Sequence, residues 1–482
     1  MAKIKLVLTH IFNESMSNGI YPDVLKRARV VPIFKSGNPS SVNNYRPIST
    51  LSIFNKIYET ILHRRFTEYM NRNSILATNQ YGFRKKSNTT LAILNFTNDI
   101  LKTFHNKHYC VALFLDLRKA FDCVSRSVLL SKLNSYGFRG VSNSLINSYL
   151  TNRDQYVVIN GVESTVLPVG VGVPQGSVLG PLLFNIFIND IVRIEGVHSV
   201  LFADDAVFYI DDESFNTSIV RLNKFIDYLS KWLNNNKILA HESKTKLMVF
   251  TSRPSPDLPE VRLNGVALEW CNSVKYLGMI IDNKLSFDSH IASLCLKLSK
   301  IRGTLNIVSR QLSRDSLLTL YFSLAYSSII QSIIIWGGSS ENKIGRVRIA
   351  MNKILRVIWG VRRNDNNIPL MNTGEMYSRL NILKLDDIFS FFLIKFYNWC
   401  CNDRADMYQK NFAPLVPMHN YGVRLYKLNY PLTHLNIQRQ STVFQCVKAV
   451  NNLLQSIDLP ISAYKLKLEY KRHILRTYEV QQ

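Results

Sequence analysis

Three aspartates set at the ends of apolar runs constrain this chain more than anything else in it. The run Val111-Ala112-Leu113-Phe114-Leu115 reads as a buried β-strand and stops at Asp116. Farther on, Val200-Leu201-Phe202-Ala203 and Ala206-Val207-Phe208-Tyr209-Ile210 are joined by Asp204-Asp205, the pattern of a hairpin with carboxylates at its tip. Charge at the end of a core strand is costly unless something compensates it, and a divalent cation is the usual compensation. Carboxylate oxygens are hard ligands suited to Mg²⁺, and two such ions roughly 3.5–4 Å apart serve phosphoryl transfer in known enzymes.

Between the two acidic sites lies Gly172-Val173-Pro174-Gln175-Gly176-Ser177, a stiff Gly/Pro loop. It opens onto a segment with Leu179, Leu182, Leu183, Ile186, Phe187 and Asp190 on one side, the pattern of an amphipathic helix. Taken singly, each piece is ordinary: a solvated turn, a strand running into an exposed helix start, a plain loop. Their joint occurrence in this order between residues 111 and 210 points to the palm of a nucleotide polymerase.

Charge agrees with a polyanionic partner. Lys and Arg number 59 against 34 Asp and Glu, a net +25. The excess is uneven: residues 284–363 carry 13 basic against 3 acidic side chains, and residues 364–482 carry 14 against 9. The seven cysteines show no C-x₂-C spacing, Cys400 and Cys401 are adjacent, and the odd number fits a reducing compartment. The start, MAKIKLVLTHIF, has too short an apolar stretch for a signal peptide. The most apolar stretch, 323–336, is too short to span a bilayer, so an intracellular protein of nucleus or cytoplasm, without membrane partners, is expected.

Along the chain, 29–34 reads as a strand and 53–69 as a helix, while 80–84 reads as a turn with Thr89 or Thr90 capping the next helix. From 111 to 281 the order is strand, helix, loop, helix, hairpin, helix, strand, hairpin. A helix from about Asn216 to Leu233, a Pro-rich turn over 251–260 and a hairpin over 261–270 are expected within it. Beyond 283 the pattern is helical to Arg363, and Asn364-Asp365-Asn366-Asn367 reads as a linker.

Seven blocks stand in order: NNYRPISTLSIFNKIYETIL, NQYGFRKKSNTTLAI, LFLDLRKAFDCV, GVGVPQGSVLGPLLFNIFINDI, LFADDAVFY, SKTKLMVF and VKYLGMIIDNKLSFDSHI. They resemble the reverse transcriptases of non-LTR (LINE-type) retrotransposons, of the jockey-like group, from about Ile11 to Arg363. The resemblance implies an α+β right-hand polymerase, with fingers and palm built on antiparallel sheet, then an α-helical thumb and a C-terminal helical region. It implies boundaries at 1–15 for the remnant of an upstream linker, 16–282 for fingers and palm, 283–363 for the thumb and 364–482 for a region of no assigned role.

It implies an RNA-directed DNA polymerase that extends a primer 3′-hydroxyl with dNTPs. Its partners are an RNA template, a DNA primer and their hybrid. Asp116, Asp204 and Asp205 are then the catalytic, metal-holding carboxylates for two Mg²⁺ ions, with Mn²⁺ able to substitute. Phe121 matches the side chain that blocks a ribose 2′-hydroxyl, and Gln175 the one that contacts the nucleotide. Arg46 matches the finger Arg that grips the triphosphate, and Lys35 assists from the loop before it. Lys244 matches the lysine that protonates pyrophosphate, with Lys246 as its rival. Tyr276-Leu277-Gly278 matches the hairpin that grips the primer terminus.

Two features depart from the family. Ala240-His241 stands where Leu-Asn is usual, which bears on Lys244. No endonuclease, Cys/His knuckle or RNase H pattern accompanies the polymerase blocks, so a polymerase-only copy is expected, its nicking activity supplied by another protein or lost. Two other readings compete: a catalytically decayed, element-derived nucleic-acid-binding protein, and an RNA-dependent RNA polymerase. The intact carboxylates weigh against the first and Phe121 against the second.

Overall fold

The strand Tyr109–Leu115 is apolar on both faces because it is covered on both: every residue from Cys110 to Leu115 is buried. It is the middle of a five-stranded sheet in the order Glu269–Trp270, Lys246–Thr251, Tyr109–Leu115, Asp205–Asp212, His198–Phe202. The last two form an antiparallel hairpin in register from His198↔Tyr209 to Phe202↔Asp205, so Ala203 and Asp204 are its two-residue turn. Asp205 is therefore the first residue of its strand. The free edge of His198–Phe202 is closed by passing backbone: Tyr81 N–H donates to Leu201 O at 2.8 Å and Leu201 N–H to Asn79 O at 2.9 Å.

The computed structural model describes residues 2–192, 194–360, 373–416, 428–431, 433, 436–453, 459 and 461–480. The chain divides into two units. One holds Met1–Asn88, Cys110–Met248 and Pro256–Cys271; the other holds Thr89–Tyr109, Val249–Ser255 and Asn272–Gln482. The expected linker 364–367 lies outside the described residues.

The first unit carries a second sheet. Ala28–Phe34 pairs antiparallel with Tyr45–Thr50, from Arg29↔Thr50 to Phe34↔Tyr45, and parallel with Arg153–Ile159 over Ala28–Val30. Val162–Glu163 and Leu167–Val169 add to Arg153–Ile159. The element order expected for 111–281 contains none of these three strands. Most of Arg153–Ile159 is only half-buried, so its apolar alternation is weak, and its parallel partner lies more than a hundred positions upstream. The helix Ile53–Arg72 starts at Ser52, whose hydroxyl accepts from Asn55 N–H at 3.1 Å. Helix Phe215–Asn236 ends where Lys237 turns left-handed at φ +56°.

Two expectations here are corrected. The helix after the Gly/Pro loop, Gly180–Ile188, is buried on nearly every side rather than on one, and Asp190 lies beyond its end, paired with Lys132 at 2.6 Å. The expected 261–270 hairpin is shorter: Arg262–Leu263 pairs with Val266–Ala267, while Glu269–Trp270 joins the main sheet parallel to Lys246–Leu247.

In the second unit, helix Thr89–Asn106 buries Leu91, Leu94, Phe96, Ile100 and Phe104, and Phe96 meets the rings of Phe250 and Tyr276 edge-on at 5.6 and 6.4 Å. Thr89 and Thr90 are inside this helix, so neither caps it. Ser273–Tyr276 and Met279–Asp282 form a hairpin turned by Leu277 and Gly278, at φ +47° and +84°. The other main elements among the described residues are helices, with Asp288–Val308 packed on Glu341–Trp359, then Leu385–Asp403, Thr442–Leu453 and Ala463–Val480. The apolar stretch at 323–336 is broken at Gln331-Ser332, where Ser332 has φ +50°. Among the described residues no helix is long and apolar enough to cross a membrane. None of the seven cysteines, all among the described residues, forms a disulfide.

Candidate active site

Asp116 leaves the end of the Tyr109–Leu115 strand and is tied down through its backbone. Its N–H donates to Thr245 Oγ1 at 3.3 Å and its carbonyl accepts from His241 N–H at 2.7 Å. Asp204 sits in the turn of the neighbouring hairpin and Asp205 just after it. The turn is strained: Ala203 has φ +57°, a conformation that costs a residue with a Cβ roughly 1–2 kcal/mol. Two hairpin strands and the middle strand thus bring the three carboxylates into one field. Burial raises the Asp204 carboxyl above its usual range, and the charge of Asp116 adds to the rise. Asp205 is open to solvent on one side, yet burial of its carboxyl and the charges of Asp204 and Asp116 push it up to about 6.

Two cations oppose this repulsion. Arg46 and Lys35 both pull the Asp204 and Asp205 carboxyls down. They flank one hairpin end, where Lys35 N–H donates to Asn44 O at 2.8 Å and Ile33 stands opposite Arg46. Both side chains are exposed, and neither makes a salt bridge among the described residues. Among the described residues, no group of three or more His, Cys, Asp or Glu side chains forms a ready-made ion cage. The donor set itself suits a hard divalent cation, because three mutually repelling carboxylates offer only oxygen ligands.

The Gly172–Ser177 loop is strapped to the segment after Asp116. Gly172 N–H donates to Val124 O at 3.0 Å and Val173 N–H to Phe121 O at 2.9 Å. A Cβ on Gly172 would lie 2.7 Å from Asp122 O, and φ there is +83°, so only glycine fits. On the other side, Ser49 N–H donates to Gln175 O at 2.7 Å. The Gln175 amide Nε2 donates to Asp122 Oδ1 at 2.8 Å, and its Oε1 has no donor among the described residues. Phe121 is half-buried, stacked on Phe184 at 4.4 Å and edge-on to Phe83 at 6.2 Å. Its ring is held by rings, not loose in solvent.

Residues 33–281 match the family model of reverse transcriptase (RNA-dependent DNA polymerase). The chain belongs to the reverse transcriptase family. It is 29% identical over 401 residues to the RNA-directed DNA polymerase from mobile element jockey of Drosophila melanogaster, covering 78% of this chain and 44% of that protein. It is 30% identical over 365 residues to the probable RNA-directed DNA polymerase from transposon X-element of the same species, covering 74% and 40%. The chain thus spans less than half the length of these relatives. A solved structure of apo telomerase from Candida tropicalis aligns over 82% of this chain and 70% of that one, with a TM-score of 0.42 and 12% identity. The jockey-like resemblance seen in the seven blocks is borne out by the family model and the mobile-element relatives.

In this reverse transcriptase domain Lys244 is exposed, in the turn made by Lys244 and Thr245 N–H donating to His241 O, both at 2.9 Å. The departure at Ala240-His241 is accommodated because the contact there is main-chain: Ala240 pairs with Leu117 and His241 N–H reaches Asp116 O. Lys246 is bound to the Glu269 carboxylate. Tyr276 is buried in its own hairpin, beside Leu277 and Gly278 of the turn.

Sequence patterning missed several residues that shape the site. The buried Gln80 Oε1 accepts from Gly82 N–H at 2.8 Å and Ala203 N–H at 3.1 Å, clamping the strained turn, while Gly82 packs against the Ala203 backbone. Asn185 Nδ2 donates to Gly82 O at 2.8 Å. These three explain the NQYGF block as a buttress of the acidic turn. Its only sequence signal is a polar residue and a glycine before Phe83. Asp122, raised by burial and steadied by Gln175, had no signal beyond its place after Phe121.

Proposed function

We propose that this reverse transcriptase domain is an RNA-directed DNA polymerase of the non-LTR retrotransposon type, extending a primer 3′-hydroxyl with dNTPs along an RNA template. The observation that carries the reading is the carboxylate field of Asp116, Asp204 and Asp205 opposed by the exposed Arg46 and Lys35. Acid on one side and cations on the other suits a nucleoside triphosphate that arrives with divalent metal.

Asp116, Asp204 and Asp205 would hold the metal, taken to be two Mg²⁺ ions with Mn²⁺ as substitute. Bound there, the ions supply Lewis-acid activation of the primer hydroxyl and charge neutralisation of pyrophosphate. Arg46 and Lys35 hold the triphosphate oxygens, lowering the cost of bringing four negative charges to three carboxylates. In the reaction the primer 3′-hydroxyl gives its proton to water, its oxygen bonds to the α-phosphorus, and the bond to the bridging oxygen of pyrophosphate breaks. Lys244 gives a proton to that leaving oxygen. Gln175, its Nε2 engaged by Asp122, presents Oε1 to a donor, which selects a sugar hydroxyl over a phosphate oxygen. The Phe121 ring, fixed by Phe184 and Phe83, excludes a 2′-hydroxyl by clash. Tyr276, Leu277 and Gly278 grip the primer terminus.

Extension of oligo(dT) on poly(rA) tests the reading. The expected result is metal-dependent addition of dTTP and little addition of UTP. Binding of the hybrid with no addition of either nucleotide favours a decayed binding protein, and preferential use of UTP favours an RNA polymerase.

A further inference from the structure

The helix Ile53–Arg72 buries one carboxylate completely, that of Glu59. A buried carboxylate is tolerated only with a full set of donors, and Glu59 has four. One oxygen accepts from the backbone N–H groups of Val178 at 2.5 Å and Leu179 at 3.1 Å. The other accepts from Asn55 Nδ2 at 2.7 Å and the Tyr149 hydroxyl at 3.0 Å. Asn55 Oδ1 in turn accepts from the Tyr21 hydroxyl at 2.6 Å. Burial and the Glu59 charge hold the Tyr149 and Tyr21 hydroxyls well above their usual range, so both remain donors, and the Arg153 guanidinium over the Tyr149 ring at 4.9 Å offsets the charge.

Val178 and Leu179 are where the Gly172–Ser177 loop becomes the helix Gly180–Ile188, and Leu179, the N-cap, has no side-chain cap of its own. The first amides of a helix lack partners within it. Glu59 reaches in from another helix to take the two that precede Gly180. Just before them the chain closes a tight turn: Ser177 N–H and Oγ both donate to Pro174 O, at 3.2 and 2.8 Å, and Ser177 Oγ accepts from Gly180 N–H at 2.9 Å. Gln175 sits inside that turn.

We propose that Glu59 is a positioning residue for nucleotide binding, fixing the Pro174–Ser177 turn so that Gln175 Oε1 stays where the sugar arrives; this deepens, and rests on, the polymerase reading above. Glu59 touches no substrate. It acts by holding the exit of the loop while Ser49 holds Gln175 itself. Removing the acceptor takes the partner from the part-buried Val178 amide and the buried Leu179 amide and frees the turn. A glutamine, in contrast, keeps an oxygen toward the amides and turns its Nε2 to Asn55 Oδ1, with the Asn55 amide flipped.

The test compares Glu59→Ala, Glu59→Gln and Tyr149→Phe in the full chain, by steady-state addition of dTTP and by hydrogen–deuterium exchange of the peptide spanning 174–183. For Glu59→Ala the dTTP KM should rise about tenfold or more while kcat falls less, with faster exchange at 178–179. Glu59→Gln should recover most of both. Tyr149→Phe, which removes one support from an otherwise isosteric site, should raise KM about two- to threefold. A merely structural Glu59 would lower Tm in Glu59→Ala and leave KM and local exchange of the folded protein unchanged, which overturns the proposal. If Glu59→Ala does not fold, unchanged KM and exchange in Tyr149→Phe overturn it instead. If wild type adds no nucleotide, the polymerase reading fails, and the exchange arm alone still decides whether Glu59 holds the turn.

Discussion

Asp205 couples stability to pH in a direction that can be checked. Its carboxyl is raised in the folded protein to about 6, so the metal-free fold binds this proton more tightly than the unfolded chain does. That contribution is complete below the unfolded pKa and is lost as pH rises through about 6. Asp205→Asn should therefore raise the Tm of the metal-free protein relative to wild type more at pH 7 than at pH 4, read by thermal melts in chelator. A difference that does not change with pH would mean Asp205 is not crowded by Asp204 and Asp116. Phe121→Val should relax sugar selection, with the dNTP-to-rNTP ratio of kcat/KM falling about tenfold or more, equivalent to about 1.4 kcal/mol. An unchanged ratio in a folded variant would reduce Phe121 to packing on Phe184. The three aspartates were legible in the sequence because charge at the end of an apolar run is costly and conspicuous. Glu59 was not: one acid on a helix that also carries Arg64, Arg65 and Glu68 reads as solvent-facing until Tyr149, Val178 and Leu179, 90 to 120 residues on, bring their donors to it.

At the scale of elements, the Gly/Pro loop is the most sensitive piece. Gly172→Ala puts a Cβ 2.7 Å from Asp122 O in a backbone at φ +83°, so it should destabilise the fold by more than about 1 kcal/mol and raise the dNTP KM. Denaturant melts and steady-state kinetics read both, and a neutral Gly172→Ala would contradict the strap between this loop and the segment after Asp116. Gly303 offers the opposite case, exposed inside the helix Asp288–Val308 with nothing within 4 Å of a built Cβ. Gly303→Ala should stabilise by about 0.5–1 kcal/mol. The strands around Asp116 and the acidic hairpin could be read from the sequence because both are continuous apolar runs. Arg153–Ile159 could not, since its residues are mostly half-covered and its register is set by a parallel strand distant in the chain. The caps were the other weak point: Thr89 and Thr90 carry capping side chains but lie within their helix.

At the scale of the molecule, the net charge of +25 is the property that an RNA–DNA hybrid would feel first. The block 284–363 holds much of it, but not all of its cations are available. Lys343 pairs with Asp288, and Arg348 with Glu341 and Asp386, whereas Lys297, Lys300 and Arg302 stand exposed on the helix Asp288–Val308. If this helix contacts the duplex, replacing those three with alanine should flatten the slope of log affinity against log salt by about one to three. An unchanged slope would place the contact elsewhere. The blocks that define the reverse transcriptase domain were legible over most of the chain, while the role of the helices from Leu385 to Val480 was not, since they present packing patterns without a chemical motif. The central claim is that Asp116, Asp204 and Asp205 form one catalytic carboxylate site, and single-nucleotide addition of dTTP to oligo(dT) on poly(rA) by Asp204→Asn tests it most directly. Loss of this carboxylate should cut the rate roughly a thousandfold or more with hybrid binding intact; an Asp204→Asn protein that adds dTTP within about threefold of wild type would contradict the account.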